Sequence, residues 1–185
     1  MKRSGLSAAL LICAAMLAGC GYRTGFLIPA DIKSVHIRVA DNEAYWREAK
    51  KVDNISSDEP QPGPLPAYTM ESDLTDRIKD EVLRATPLRV VDEDRADSFL
   101  TATITAVEPR VLMRDGDDNV LSERVDIKVS FTWQERRSGR VLASGTGLSR
   151  ATDFVVPRGE SFTMAARRSF DFIARQIVER MQEGF

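Results

Sequence analysis

The sequence is poor in the residues that most catalytic and metal sites need. It contains one histidine, His36, and two cysteines, Cys13 and Cys20, among 185 residues. A zinc site needs several histidine or cysteine ligands, and a nucleophilic triad needs a histidine beside an activated serine or cysteine. No serine stands in a G-x-S-x-G elbow, and His36 lies in a strand-like pattern without a cysteine near it. We therefore expect no enzyme activity, no metal and no cofactor.

Long apolar runs are also scarce. The one sustained run covers residues 5–16 and follows a short cationic start at Lys2 and Arg3. Its 12 residues are too few to span a bilayer as a helix, which needs about 20. A cationic start followed by a short apolar run is typical of a signal peptide that is removed from the mature protein.

The end of this run indicates a lipid anchor. The sequence "LAGC" (17–20) places two small residues before Cys20, as a signal peptidase requires, and resembles the bacterial lipobox. A thiolate directly after the cut can accept a diacylglyceryl group through a thioether, and palmitate can follow. We predict a cleaved signal peptide over 1–19, a lipidated Cys20 and a tether over 20–33. The alternative is an ordinary secretory signal in which the cysteine occurs by chance.

An excess of positive charge is missing. The chain has 26 basic and 28 acidic residues, and removal of Lys2 and Arg3 with the signal leaves 24 against 28, a net charge of −4. No basic stripe interleaved with aromatic residues appears, so we expect no nucleic-acid partner. The mature chain of 185 − 19 = 166 residues is long enough for one domain with a proper core. Only one cysteine remains in it, so an internal disulfide is excluded.

Hydrophobic periodicity predicts four strands and two helices. Alternating apolar and polar residues indicate strands at 34–40, 98–108, 123–134 and about 140–148. Helical spacing of apolar residues indicates helices at about 69–85 and 161–181. Between the first strand and the first helix, residues 41–68 are rich in proline and predict a long loop.

These elements predict an α+β fold in the order β-α-β-β-β-α. Two helices with one apolar stripe each would pack on one face of a four-stranded mixed sheet, giving a two-layer sandwich over residues 34–185. Trp133 shares a face with Phe131 and Val129, so we expect it to be buried under the helices. We expect the opposite face to be polar, either as an ordinary solvent face or as a partner surface. Its members would be Arg38, Thr101, Thr103, Thr105, Arg124, Asp126, Lys128 and Thr132.

One acidic segment invites a metal interpretation. "DGDDN" (115–119) spaces oxygen ligands as a calcium loop does, but that motif needs a glycine and a glutamate where this chain has Val120 and Asp126. A hairpin turn between two strands explains the segment better, since glycine, aspartate and asparagine favour such turns.

Four segments together resemble the lipopolysaccharide-assembly lipoprotein family LptE. They are "LAGCGYR" at the anchor, "TPLRVVDEDRADSFLTATI" (86–104), "VSFTWQERRSGRVLASG" (129–145) and "PRGESFTMAARRSFDFIARQIVERM" (157–181). Each motif alone is weak, and their order and spacing make the case. The family passes from first strand to first helix in a short segment, so the proline-rich stretch 41–68 is a departure from its pattern.

The resemblance implies a fold and a role. LptE-like proteins place two helices against a four-stranded sheet, and they plug the lumen of a large outer-membrane β-barrel, LptD. They help the barrel deliver lipopolysaccharide to the cell surface and are reported to bind that lipid. Gly21 follows the acylated cysteine where an aspartate would favour inner-membrane retention, so the expected location is the outer membrane.

The resemblance also directs attention to four basic residues. Arg110 and Arg114 precede the "DGDDN" turn, and Arg124 and Lys128 follow it on the polar face of the next strand. Arginine grips phosphate bidentately and lysine binds it as a point charge, so these residues are candidates for contact with lipopolysaccharide or a protein partner. The aspartates of the turn would repel phosphate, which favours protein contact.

Two other roles remain open at this stage. The chain could be an accessory or scaffold lipoprotein of another envelope complex, with the same anchor and fold and no enzymatic activity. A lipid-anchored hydrolase would need a concave site with convergent polar groups.

Overall fold

The computed structural model describes residues 28–38, 40–44 and 70–183. The predicted signal peptide, Cys20, residues 20–27 of the predicted tether and most of the predicted loop lie outside them. The described helices are α1 (Met70–Ala85) and α2 (Phe162–Glu183). The described strands are β1 (Ser34–Ile37), β2 (Asp41–Asn42), β3 (Arg89–Val90), β4 (Ser98–Arg114), β5 (Val120–Glu135) and β6 (Val141–Val155).

The strands form one mixed, open sheet with the order β3-β1-β4-β5-β6, and β2 pairs with β4 beside β1. Contacts of β1 with β3 and β4, and of β2 with β4, are parallel, whereas β4, β5 and β6 form an antiparallel meander. The predicted two helices and mixed sheet are confirmed. The predicted four-stranded sheet and the order β-α-β-β-β-α are wrong, since the described order is β-β-α-β-β-β-β-α.

The two unpredicted strands are too short to leave a pattern. β2 and β3 have two residues each, and alternation needs at least four to be visible. β2 also falls at the start of the segment predicted as a loop, where Asp41 and Asn42 pair with Thr103 and Ile104. Backbone pairing with a neighbouring strand, β4 for β2 and β1 for β3, rather than side-chain periodicity, makes these residues strands.

β4 and β6 are longer than predicted because the register of their pairing with β5 is interrupted. β4 continues past residue 108 to Arg114, and β6 continues past residue 148 to Val155. In β4 the partner of Ile104 is Val129, but the partner of Ala106 is Lys128, so Thr105 forms a bulge. A bulge moves the following side chains to the opposite phase, which ends the simple alternation that the sequence shows.

The core lies between the helices and one sheet face. Trp133 is fully buried, as predicted, and its indole Nε1 donates to the hydroxyl of Ser98 at 2.9 Å. α2 packs against β5 and β6, and α1 packs against α2. Both helices bury their apolar stripes there through Leu74, Ile78, Val82, Phe170, Ile173 and Ile177.

Ion pairs and a helix-end contact fix the two helices to each other. Arg167 donates to Asp73 at 2.9 Å, and Gln182 Nε2 donates to the carbonyl of Ala85 at 2.8 Å. Among the described helices, none is both long and apolar enough to cross a membrane. Both helices pack on the same face of the sheet, and the described elements leave the other face uncovered.

Candidate functional site: the outer face and the distal hairpin

The outer face is the side of the sheet that the helices leave uncovered. In the first half of β4 the even-numbered residues are buried, and Thr101 and Thr103 lie half-buried on the other side. In β5 the odd-numbered residues from Val125 to Trp133 are buried, so Thr132 also points outward. The predicted division into an apolar inner face and a polar outer face is confirmed.

The distal hairpin, residues 108–121, extends one end of this face. Among the described residues β4 has a partner on both sides only as far as Ile104, and β5 meets β6 only from Ser122 onward. Pro109 is tolerated there because an edge strand needs no second hydrogen-bond partner. The hairpin therefore projects beyond the layer that the helices cover.

Two of the four predicted basic residues belong to a charge network on the outer face. Arg110 Nη2 lies 2.8 Å from Asp126 Oδ2, and Lys128 Nζ lies 3.4 Å from Glu108 Oε1. Arg110 also lies 3.6 Å from Glu108 Oε2. Both cations are about half exposed, and exposed ion pairs contribute only about 0–1 kcal/mol. A partner with better-placed anions could therefore displace these carboxylates at little cost.

Arg124 has a stronger partner on the neighbouring strand. Its Nε and Nη2 donate to the two carboxylate oxygens of Asp153 at 2.6 and 3.0 Å, which is a bidentate pair. The hydrogen bond from Arg124 lowers the pKa of Asp153, and the same contact raises the pKa of Arg124. Arg124 lies directly opposite Arg110 in the ladder, so three of the predicted residues, Arg110, Arg124 and Lys128, share one face.

Arg114, the fourth predicted residue, lies at the tip of the hairpin. Its Nη1 donates to the backbone carbonyl of Asp118 at 2.9 Å and lies 3.4 Å from the side-chain Oδ1 of the same residue. The turn itself is held by Asp115, whose Oδ1 accepts from the backbone N–H groups of Asp117 and Asn119 at 2.9 and 2.8 Å. The side-chain amide of Asn119 lowers the pKa of Asp115. The "DGDDN" segment is thus the predicted hairpin turn.

An apolar strip at the tip was missed by the sequence reasoning. Val111, Leu112 and Met113 are exposed by 42%, 46% and 57%. Runs of exposed apolar residues are unusual on monomers, and extended exposed apolar patches are typical of contact surfaces. The signal was present in the sequence as three consecutive apolar residues between Arg110 and Arg114, but the strand was predicted to end at 108. The outer face and the distal hairpin therefore combine mixed charge with an apolar end.

The family comparison decides the class of this protein. A family model described as "LptE: Lipopolysaccharide-assembly" matches residues 49–181. The chain belongs to the LptE family. This match covers α1, the four strands β3 to β6 and α2 as far as Met181.

Solved structures also match this LptE-family chain, at low sequence identity. The hypothetical protein CT253 from Chlamydia trachomatis has a TM-score of 0.48 and 9% identity over 81% of this chain and 98% of its own. A minor lipoprotein from Acinetobacter baumannii has a TM-score of 0.46 and 15% identity over 82% of this chain and 94% of its own. Protein XCC0632 from Xanthomonas campestris has a TM-score of 0.48 and 12% identity over 85% of this chain and 90% of its own. No curated protein matches the sequence.

The single histidine of this LptE-family protein has structural neighbours. His36 Nδ1 lies 3.0 Å from the carbonyl of Val91, and its ring forms a T-shaped pair with the ring of Phe99, with the centroids 6.4 Å apart and an interplanar angle of 86°. In the ranges that the structure describes, no group of three or more histidine, cysteine or acidic side chains is placed to hold a metal ion. The contacts of His36 join β1 to the segment that follows β3.

Proposed function

We propose that this protein is an outer-membrane lipoprotein that assembles as a plug with the LptD β-barrel and aids lipopolysaccharide transport to the cell surface. The observation that carries the proposal is the LptE family match, which spans 181 − 49 + 1 = 133 of 185 residues. The role is structural and non-enzymatic. It needs a membrane anchor, a surface for the barrel and a way to meet the lipid.

Cys20 is the proposed anchor. Fourteen residue steps separate it from Ser34, where β1 begins, so a fully extended tether reaches at most about 50 Å. That length lets the folded domain sit inside or beside a barrel while the acyl chains stay in the bilayer. Cys20→Ala should therefore release the protein from membranes, as measured by fractionation and by mass spectrometry of the mature N-terminus. An unmodified Cys20 in the native protein would contradict this part of the proposal.

The outer face and the distal hairpin are the proposed contact surface. Lumens of large barrels are polar, and a face of threonines and mixed charges suits such walls. The charge network around Arg110 and Lys128 is weak enough to re-pair with groups of the barrel or with phosphates of lipopolysaccharide. The strip from Val111 to Met113 would bury apolar area at the far end of the same contact.

The test is co-purification of LptD with the full lipidated chain. Arg110→Glu combined with Lys128→Glu places two acids where Glu108 and Asp126 already lie, so barrel recovery should fall at least tenfold. Arg137→Glu, at the turn after β5 and far from the distal hairpin, is the control, and it should keep full recovery.

A parallel measurement follows binding of purified lipopolysaccharide by the same variants. Loss of barrel recovery with lipid binding intact assigns the surface to protein contact. Loss of both assigns it to the lipid as well. Full retention of both by the Arg110/Lys128 variant would show that this face is not the contact surface, and an accessory role in another complex would then gain support.

A further inference from the structure

A second basic region lies along β6, at one edge of the sheet. β6 is the last of the described strands in the order, and α2 packs beside it, which leaves a cleft along an edge that no described strand covers. The cleft has a volume of about 580 Å³. We call it the β6–α2 cleft, and its charged lining consists of Arg124, Arg150, Asp153, Arg168, Asp171 and Arg175.

Both acids in the cleft are already neutralised. Asp153 holds Arg124 in the bidentate pair described above. Asp171 lies 3.2 Å from Arg77, which comes from α1 and is not part of the cleft lining. The carboxylates therefore do not cancel the charge of the remaining arginines.

Two arginines in the cleft keep their charge uncompensated. Arg150 lies over the ring of Phe172 with its guanidinium carbon 4.6 Å from the ring centre, a cation–π contact that helps to hold the group in place. Within the described part of the chain, neither Arg150 nor Arg175 forms an ion pair with a carboxylate. Arg168, by contrast, lies 3.2 Å from Glu160.

The free edge of β6 adds backbone donors to the same cleft. Arg168 Nη2 reaches the carbonyl of Asp153 at 3.5 Å, and the N–H of Val155 donates to Glu160 at 2.7 Å. The backbone groups of residues 153 and 155 therefore point away from β5. The pairing with β5 is unbroken from Leu148 to Val155, so the N–H of Ala151 points the same way. Ala151 and Asp153 both line the cleft.

We propose that the β6–α2 cleft binds a phosphate monoester group through Arg150, Arg175 and the outward N–H groups of Ala151 and Asp153. Guanidinium forks match the oxygens of a tetrahedral dianion, and backbone N–H groups complete such sites. The ligand is either free phosphate or the headgroup of an anionic lipid. Arg124 and Asp153 adjoin both this cleft and the outer face. Arg150, Arg175 and the edge of β6 belong neither to the Arg110–Lys128 network nor to the distal hairpin, so the proposal does not rest on the proposed barrel contact.

The experiment uses the full lipidated chain in a neutral detergent and isothermal titration calorimetry. One arm titrates inorganic phosphate, and the other titrates dihexanoyl phosphatidic acid with dihexanoyl phosphatidylcholine as its reference. The variant Arg150→Gln/Arg175→Gln should weaken binding at least tenfold. The control Arg84→Gln/Arg137→Gln removes the same charge from exposed positions elsewhere and should change affinity less than twofold.

The outcomes separate the two sources and the proposal itself. Similar binding in both arms identifies the phosphate group alone as the ligand, and binding of phosphatidic acid only identifies a lipid headgroup. Should Arg150→Gln/Arg175→Gln fail to fold by circular dichroism, Arg150→Lys/Arg175→Lys replaces it, since lysine keeps the charge but loses the fork and should still weaken binding severalfold. No binding in either arm, equal loss in the control, or unchanged affinity in the cleft variants overturns the proposal.

Discussion

Replacement of Trp133 by alanine tests the assignment of the inner sheet face. Trp133 is fully buried near the C-terminal end of β5, opposite Leu100 of β4. Its indole N–H donates to Ser98 Oγ at 2.9 Å, and the same hydroxyl donates to the carbonyl of Ser34 at 2.9 Å. The side chain thus ties three strands together through β5, β4 and β1.

The expected loss is large for a domain of this size. Truncation of a buried tryptophan to alanine costs about 3–5 kcal/mol, because burial is lost and a cavity remains. Trp133→Phe keeps most of the ring and removes the donor, so it should cost about 1–2 kcal/mol, mainly the lost hydrogen bond to Ser98. The free energy of unfolding of a native domain is about 5–15 kcal/mol in total, so the alanine variant comes close to the limit of folding.

The measurement is urea unfolding followed by far-ultraviolet circular dichroism, since the variants remove one of the two tryptophans. A thermal melt should show a decrease of about 6–20 °C for Trp133→Ala. Equal losses for the phenylalanine and alanine variants would show that the hydrogen bond carries the whole effect. A loss below about 1 kcal/mol for Trp133→Ala would refute the face assignment and with it the register of β5.

Two further substitutions test local packing and acid stability. Gly145→Ala would place a methyl group 2.6 Å from the Phe131 ring, so it should cost about 1–3 kcal/mol in urea unfolding, whereas Gly116→Ala meets nothing within 4 Å and should be neutral; equal effects would contradict the close approach. The Ser34 hydroxyl lowers the pKa of Asp97, so this stabilisation is present above the unfolded pKa of about 3.9 and is lost as pH falls through the lower folded value. Asp97→Asn should therefore flatten the acid limb of the stability profile, and an unchanged limb would contradict the assignment.

The helices and the inner sheet face could be predicted because their signals are long. The helical apolar spacing of α1 and α2 extends over several turns, and the predicted bounds differ from the observed ones by one or two residues. The alternation around Trp133 likewise extends over the whole central part of β5. In segments of this length the spacing of apolar residues reflects which side chains are buried and which face solvent, and that spacing can be read directly from the sequence.

The strand count could not be predicted because it depends on pairing. β2 and β3 are strands only because β4 and β1 offer them backbone partners in parallel register. The extension of β4 was hidden by the bulge at Thr105 and by Pro109, which read as breaks in a pattern. Both features are compatible with a strand when one edge is free.

The sequence predicted the basic residues of the candidate site but not its exposed apolar strip. Arg124 and Lys128 were predicted to lie on one polar face, and the structure places them there together with Arg110, which was predicted only to lie beside the turn. Their acidic partners on neighbouring strands could not be identified, because the partner of Arg124 lies 29 residues along the chain at Asp153. The uncompensated charge of the β6–α2 cleft was missed for the same reason, since it depends on which arginines have partners.

The energies of these parts rank their roles in the proposed barrel contact. Each exposed ion pair of the outer face is worth about 0–1 kcal/mol, and exchange of one carboxylate for another gains little. Full burial of a valine, leucine or methionine side chain contributes about 1.5–3 kcal/mol, and Val111, Leu112 and Met113 are the exposed apolar residues of the distal hairpin. The charged face would therefore set orientation and exclude wrong partners, while the apolar tip would supply most of the affinity. The bulge and the free edge that hid this hairpin in the sequence are also what let it project far enough to be buried by a partner.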